Sequence, residues 1–136
     1  MAPPKDIIFA RKILMGAIDA NMDAIERMTR SDSRIDLPDG REHADTISIM
    51  LLAFPHMFPP STNQWRPDDK NRDPALDTYA SPDLWRNFRG FYGMAQTAAN
   101  IAAAATRAKH ADEFKTLVAQ LRVACNSCHA GYLKQD

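Results

Sequence analysis

The sequence is poor in the features that mark several common protein classes. It has only two cysteines among 136 residues, so a disulfide framework is excluded and a closed zinc site would need ligands from elsewhere in the chain. Acidic and basic residues number 17 each, which argues against a nucleic-acid-binding polycation. No apolar run approaches the roughly 18 residues of a membrane span, and the opening residues lack a signal peptide's basic and apolar parts. We therefore expect one soluble domain, residues 1–136, with no nucleic-acid partner and no membrane span.

Signals for β-strands are nearly absent. Val118 and Val123 are the only valines, and no segment alternates apolar and polar residues for more than a few positions. Proline is absent from residues 5–37 and 83–136, whereas six of the nine prolines fall within residues 55–82. The chain therefore divides into a helical front, an irregular middle and a helical back.

Apolar residues recur at steps of three and four in four segments, and each segment predicts an amphipathic helix. The predicted helices cover residues 5–30, 41–54, 81–108 and 111–132. Residues 55–80 show no period, and a loop of this length in a compact domain usually has a purpose, such as covering a site. Four such helices bury their apolar faces most simply against one another. The predicted fold is all-α, an antiparallel four-helix bundle with a long loop between helices 2 and 3.

Turn-forming and capping residues separate the predicted helices. Residues 31–40 predict a turn after the first helix. Ser81, Pro82 and Asp83 combine a hydroxyl cap, a proline at the first helical position and a carboxylate in the first turn, so they predict the start of the third helix. Within the first helix, Gly16 costs about 1 kcal/mol relative to alanine, which indicates that a haem or a neighbouring helix approaches closely there.

Both cysteines lie in one short motif, Cys125-Asn126-Ser127-Cys128-His129. This Cys-x-x-Cys-His pattern is the attachment motif of c-type haem. On a helix, residues three apart share a face, so both thiols can add to the two vinyl groups along one haem edge. The next residue, His129, can then serve as the proximal iron ligand. The motif predicts one covalent haem c per chain.

Two other interpretations of the cysteine pair are possible. A Cys-x-x-Cys pair can be a dithiol redox site, although that site expects a strand-and-helix context that the sequence lacks. The pair can also be half of a metal site, completed by His43, His56 and His110. Haem attachment is preferred because it uses both cysteines and places the histidine correctly.

Only seven residues follow His129 and none is methionine, so a sixth iron ligand would have to come from upstream. A four-helix bundle with the haem motif on its last helix resembles the cytochrome c-prime family, the class II cytochromes c. Arg11, followed by Met15 four residues later, resembles the first helix of that family. Residues 52–55 and 81–85 resemble the end of its second helix and the start of its third.

The resemblance implies a role for each of these helix-1 residues. Met15 matches the family's distal position, where methionine implies a six-coordinate, low-spin iron and a non-coordinating side chain implies a five-coordinate, high-spin iron that binds small gases. A His129/Met15 pair favours ferrous iron and suits electron transfer; the alternative is that Met15 is an ordinary core methionine. Arg11 either pairs with a haem propionate or extends into solvent. Leu133 departs from the family, since many members have arginine at that position.

We therefore expect a periplasmic monohaem cytochrome that carries single electrons between redox partner proteins, with Met15 as sixth ligand. It would be a monomer or homodimer and not an enzyme. The periplasmic location follows from the resemblance, because haem is joined to this motif outside the bacterial cytoplasm. The alternative is a five-coordinate cytochrome c-prime that binds NO or CO. A peroxidase is disfavoured because helix 1 offers no distal acid-base histidine.

Overall fold

Helices account for almost all regular structure in the computed structural model, which describes residues 2–30, 34–66 and 68–133. The α-helices are α1 (Pro4–Met28), α2 (Leu37–Ala53), α3 (Asp83–Arg86), α4 (Phe88–Thr106) and α5 (Ala111–Tyr132). Short 3-10 turns occupy Phe54–Met57, Pro60–Thr62 and Pro74–Leu76. In the described ranges, the extended pairing is a single isolated bridge between Ala80 and Leu133. The all-α prediction is confirmed.

The four long helices form the predicted bundle. Helix α1 packs on α2, α2 on α4, and α4 on α5. Buried alanines on α4 let α2 approach closely, and there Ser48 Oγ donates a hydrogen bond to the Ala99 carbonyl oxygen at 3.2 Å. Side chains from all four helices fill one continuous core. Its largest fully buried members are Ile18, Met22, Ile25, Ile47, Phe114 and Leu121.

Helix α2 begins earlier than its apolar period suggests. The predicted turn over residues 31–40 extends only as far as residue 36 among the described residues; its part at 31–33 lies outside them. Asp36 is the N-cap, and its carboxylate accepts a hydrogen bond from the Asp39 backbone N–H at 3.2 Å. Pro38 then occupies the first turn, where its missing N–H is harmless. The last part of the predicted turn, residues 37–40, is therefore the start of α2.

The third predicted helix is broken in two at Asn87. Its backbone leaves the helical region, with φ −132° and ψ 56°, and its side chain caps α4 by accepting from the Gly90 N–H. The predicted hydroxyl cap at Ser81 is wrong, because the buried Ser81 Oγ has no hydrogen-bond partner among the described residues. The Ser81 backbone N–H instead donates to the Tyr132 carbonyl oxygen at 2.8 Å. This bond ties the start of α3 to the end of α5.

Gly40 provides a test of the α2 packing. A Cβ at this position would lie 2.7 Å from the Phe114 ring and 3.0 Å from the Met28 sulfur. Because Phe114 is fully buried, Gly40→Ala is expected to lower the free energy of unfolding by about 1–3 kcal/mol, measured by chemical denaturation. Gly93→Ala on α4 is the control, since nothing lies within 4 Å of its added Cβ. An equal effect of both substitutions would contradict this account.

Candidate haem site

A cavity of about 410 Å³ opens between α1, α4, α5 and the loop that precedes α3. Most of its wall is apolar. From the bundle it takes Met15 and Ile18 on α1, Phe91, Met94 and Ala95 on α4, and Cys125, Cys128 and His129 on α5. The size and the apolar lining are those of a site for a small organic cofactor.

Helix α5 presents the whole Cys-x-x-Cys-His motif to this cavity. Cys125 and Cys128 are one helical turn apart, and His129 follows at the next position, so all three side chains lie along one wall. Cys125 packs against the main core. Cys128 packs against a second apolar cluster, formed by Phe58, Ala80, Leu84, Phe91 and Tyr132. The motif therefore lies where the two clusters meet.

Burial controls the chemistry of these three groups. It raises the pKa of the Cys128 thiol to about 11, with a smaller contribution from Cys125, and it also raises the pKa of Cys125. Burial lowers the pKa of His129, which favours the neutral imidazole that binds iron. Because dithiol redox sites lower the pKa of a cysteine, the dithiol interpretation is not supported.

The metal-site interpretation is not supported either. Within residues 2–30, 34–66 and 68–133, no three histidine, cysteine or acidic side chains gather as metal ligands would. His43 contacts Asn21 and Asp39 between α1 and α2. His56 is exposed and packs edge-on against Tyr92, and His110 is exposed before α5.

Across the cavity from the motif, α1 contributes Met15 and Gly16. Met15 is half-buried and packs against the main core, as an apolar side chain that fills a gap does. A neighbouring helix is not the group that approaches Gly16, because within the described structure no atom beyond its own helix backbone and chain neighbours lies within 4 Å of an added Cβ. Gly16 instead lines the cavity, so this part of α1 forms part of the wall of the candidate haem site.

Arg11 also lines the cavity, and it is buried, with 4% of its surface exposed. The alternative of an arginine extending into solvent is therefore wrong. Its guanidinium donates to the Thr62 and Thr78 hydroxyls, both at 2.7 Å, and to the carbonyl oxygens of Met57 and Thr62. Desolvation lowers the pKa of Arg11 to about 10, so the group stays charged at neutral pH. No carboxylate among the described residues forms an ion pair with it.

The loop supplies cavity residues that sequence reasoning missed. We call residues 57–66 and 68–80 the strap. Phe58, Thr78, Tyr79 and Ala80 of the strap form part of the cavity wall. The only sequence signal for this role is the unusual length of the loop, because no periodicity marks which of its residues face inward.

These residues fit a haem. The cavity is apolar, as the macrocycle requires, and two thiols with an adjacent imidazole lie along a single wall. The buried Arg11 cation, with only neutral partners among the described residues, suits an anionic group such as a propionate. Cys125 and Cys128 could hold the macrocycle covalently and His129 could bind its iron.

Comparison with known proteins decides the family. The sequence model of the family Cytochrome C' (cytochrome c-prime) matches residues 6–133. The chain belongs to the cytochrome c-prime family. Like the other members, it carries one covalent haem c per chain. No curated protein matches the sequence.

Solved cytochromes c-prime share the fold. The structure from Thermochromatium tepidum is 23% identical, with 98% of each chain covered and a TM-score of 0.81. A nitric oxide complex of a variant from Alcaligenes xylosoxidans is 16% identical, with 99% of each chain covered and a TM-score of 0.81. A cytochrome c-prime with ligand-controlled dimer dissociation is 20% identical, with 99% of each chain covered and a TM-score of 0.81.

Family membership corrects the predicted function. The expectation of a His129/Met15 electron carrier is wrong, because cytochromes c-prime are typically five-coordinate and high-spin and bind NO or CO. Met15 packs against the main core, as an apolar side chain that fills space there does. This packing is a physical reason for a methionine at this position other than iron binding.

No helix in the described part of the chain is long and apolar enough to span a membrane.

Covalent attachment can be tested directly. Cys125→Ala combined with Cys128→Ala is expected to abolish haem staining of the denatured protein on a gel, because no thioether bond can then form. Ser127→Ala is the matched control, since Ser127 is exposed and its hydroxyl bonds only to the Val123 carbonyl oxygen of its own helix. Haem retained by the double variant would refute the attachment assignment.

Proposed function

We propose that the chain is a gas-binding cytochrome c-prime that takes up NO or CO at a five-coordinate haem. Cys125 and Cys128 hold the haem and His129 is the single protein ligand of the iron. When bound, the haem supplies an iron with one open coordination position. The observation that supports the proposal is the α1 wall of the cavity, where Met15 packs against the core and Gly16 presents no side chain.

The walls of the cavity favour a neutral diatomic ligand. Met15, Ile18, Phe91 and Ala98 surround the space with apolar groups, so a charged or strongly hydrated ligand would lose its hydration without replacement. NO and CO are small and carry no charge, so the free-energy cost of their desolvation is small. The nitric oxide complex of the Alcaligenes xylosoxidans variant supports the choice of ligand.

The proposed role is binding and not catalysis. Helix α1 carries no histidine, so its side of the cavity, which Asp19 also lines, lacks the distal acid-base histidine that a peroxidase uses. A periplasmic location is part of this proposal, because attachment to a Cys-x-x-Cys-His motif takes place outside the bacterial cytoplasm. The predicted redox partner proteins stay a prediction.

Substitution of Met15 separates the two ligation states. Met15→Ala is expected to leave the high-spin optical spectrum of the haem protein unchanged, because the methionine does not coordinate. Loss of bulk beside the iron is expected to speed CO association with the ferrous protein by about tenfold, equivalent to about 1.4 kcal/mol of barrier. Stopped-flow absorbance measures this rate. A low-spin wild-type spectrum that becomes high-spin in the variant would overturn the proposal.

A homodimer is part of the proposal as well. The bond between Asn21 on α1 and His43 on α2 sets an antiparallel register, so Ile13, eight residues back along α1, lies near residue 51. Ile13 is 58% exposed, and Ile49 at the same end of α2 is 59% exposed. Phe9 and Leu52 extend this apolar surface. A second copy of the chain fits it, and the relative with ligand-controlled dimer dissociation supports that partner.

A charge on this surface tests the dimer. Ile13→Glu is expected to raise the dimer dissociation constant by about 100-fold or more, since an unpaired carboxylate would be buried at the interface. Sedimentation equilibrium measures the constant. Val123→Glu on α5 is the control, because Val123 is equally exposed, at 65%, but lies on another helix. A wild-type monomer at all concentrations would exclude the dimer.

A further inference from the structure

The strap is held in place by one buried cation. The Arg11 guanidinium donates four hydrogen bonds, and every acceptor belongs to the strap. Its charge centre also lies 4.4 Å from the centre of the Phe58 ring and 5.7 Å from that of Trp85. A buried charge is strongly unfavourable unless such partners replace its hydration. The position of the strap and the burial of Arg11 therefore depend on each other.

Thr78 connects this cation to the other side of the cavity. Its hydroxyl oxygen accepts from Arg11 at 2.7 Å and from the Ala80 backbone N–H at 3.2 Å. Ala80 pairs with Leu133 in the isolated bridge, and Leu133 follows the last residue of α5. At this bridge the Ser81 backbone N–H donates to the Tyr132 carbonyl oxygen at 2.8 Å. A series of polar contacts thus runs from α1, one turn before Met15, through residues 78–81 to the end of α5.

Residues of this series form part of the wall of the cavity. Thr78, Tyr79 and Ala80 all line it, together with Arg11 and Lys12 on one side and Leu133 on the other. Tyr79 is the most exposed of the three strap residues, and the Lys12 ammonium lies 5.0 Å from the centre of its ring. The contact between these two side chains forms the outer edge of the segment that covers the cavity.

We propose that residues 78–80 are a lid over the gas-binding cavity, that Thr78 is the positioning residue that holds the lid closed, and that Lys12 and Tyr79 form its opening edge. The inference rests on the proposed function, since the lid is assigned to a gas site. Thr78 acts through its bonds to Arg11 and Ala80. The lid determines the rate at which a gas enters the cavity, whereas the iron determines which gas is bound.

Thr78→Val tests the lid because it keeps the shape of the side chain and removes the acceptor of both bonds. In the haem-loaded variant, amides of residues 78–81 are expected to exchange with deuterium about tenfold faster, because one charge-assisted and one neutral hydrogen bond are lost. CO association with the ferrous protein is expected to accelerate to a similar degree. Thr106→Val is the matched control, since the Thr106 hydroxyl bonds only to the Ala102 carbonyl oxygen of its own helix.

Two results would overturn the lid. Unchanged exchange at residues 78–81 would show that Thr78 does not hold the segment. Faster exchange with unchanged CO association would show that gas enters elsewhere, and the proposed function would stand. Failure of the wild-type protein to bind CO would instead remove the proposed function and with it the gas lid, whatever the exchange data showed.

A second variant covers the case in which Thr78→Val does not fold. Tyr79→Ala changes an exposed side chain and keeps every hydrogen bond of Thr78. It is expected to leave amide exchange at residues 57–78 unchanged and to speed CO association severalfold. An unchanged association rate in Tyr79→Ala would refute the assignment of the opening edge.

Discussion

The buried charge of Arg11 is the constraint on which the site depends. A guanidinium with no carboxylate partner among the described residues must be surrounded by oriented dipoles and aromatic faces, and the loop between α2 and α3 supplies them. A stretch of chain rich in proline and without periodicity is therefore fixed against α1. The same contacts hold the loop as one wall of the cavity, so the hydrogen bonds of Arg11 determine both the position of the loop and the shape of the site.

The cavity exists because the apolar interior is divided. The main core fills the bundle around Met22 and Phe114, and a second cluster joins Phe58 and Ala80 of the strap to Phe91 on α4. Between them the helices leave a space that protein side chains do not fill, and the Cys-x-x-Cys-His motif faces that space. An interior packed to ordinary density has few such spaces, so one of this size at the motif is the mark of a cofactor site.

Met15 shows the limit of reasoning from residue type. A methionine on the first helix satisfied the chemical requirement for an iron ligand, and the electron-carrier prediction followed from that requirement. The same residue satisfies a packing requirement equally well, because a flexible thioether fills irregular space at the edge of a core. Family membership favours the second role. Ligation depends on the distance and direction from the methionine sulfur to the iron, and the spacing of residues in the sequence determines neither.

The sequence by itself determined the helical class, the bundle and the haem motif, because helical periodicity and i, i+3 spacing are local properties of the chain. Capping was less predictable: Ser81 has the residue type of a helix cap, but its hydroxyl has no partner among the described residues and its N–H bonds to Tyr132. The burial of Arg11 and the presence of residues 78–80 and Gly16 in the cavity wall depend on tertiary contacts. These features join residues more than 50 positions apart, and their energies come from desolvation and packing that arise only when the helices meet.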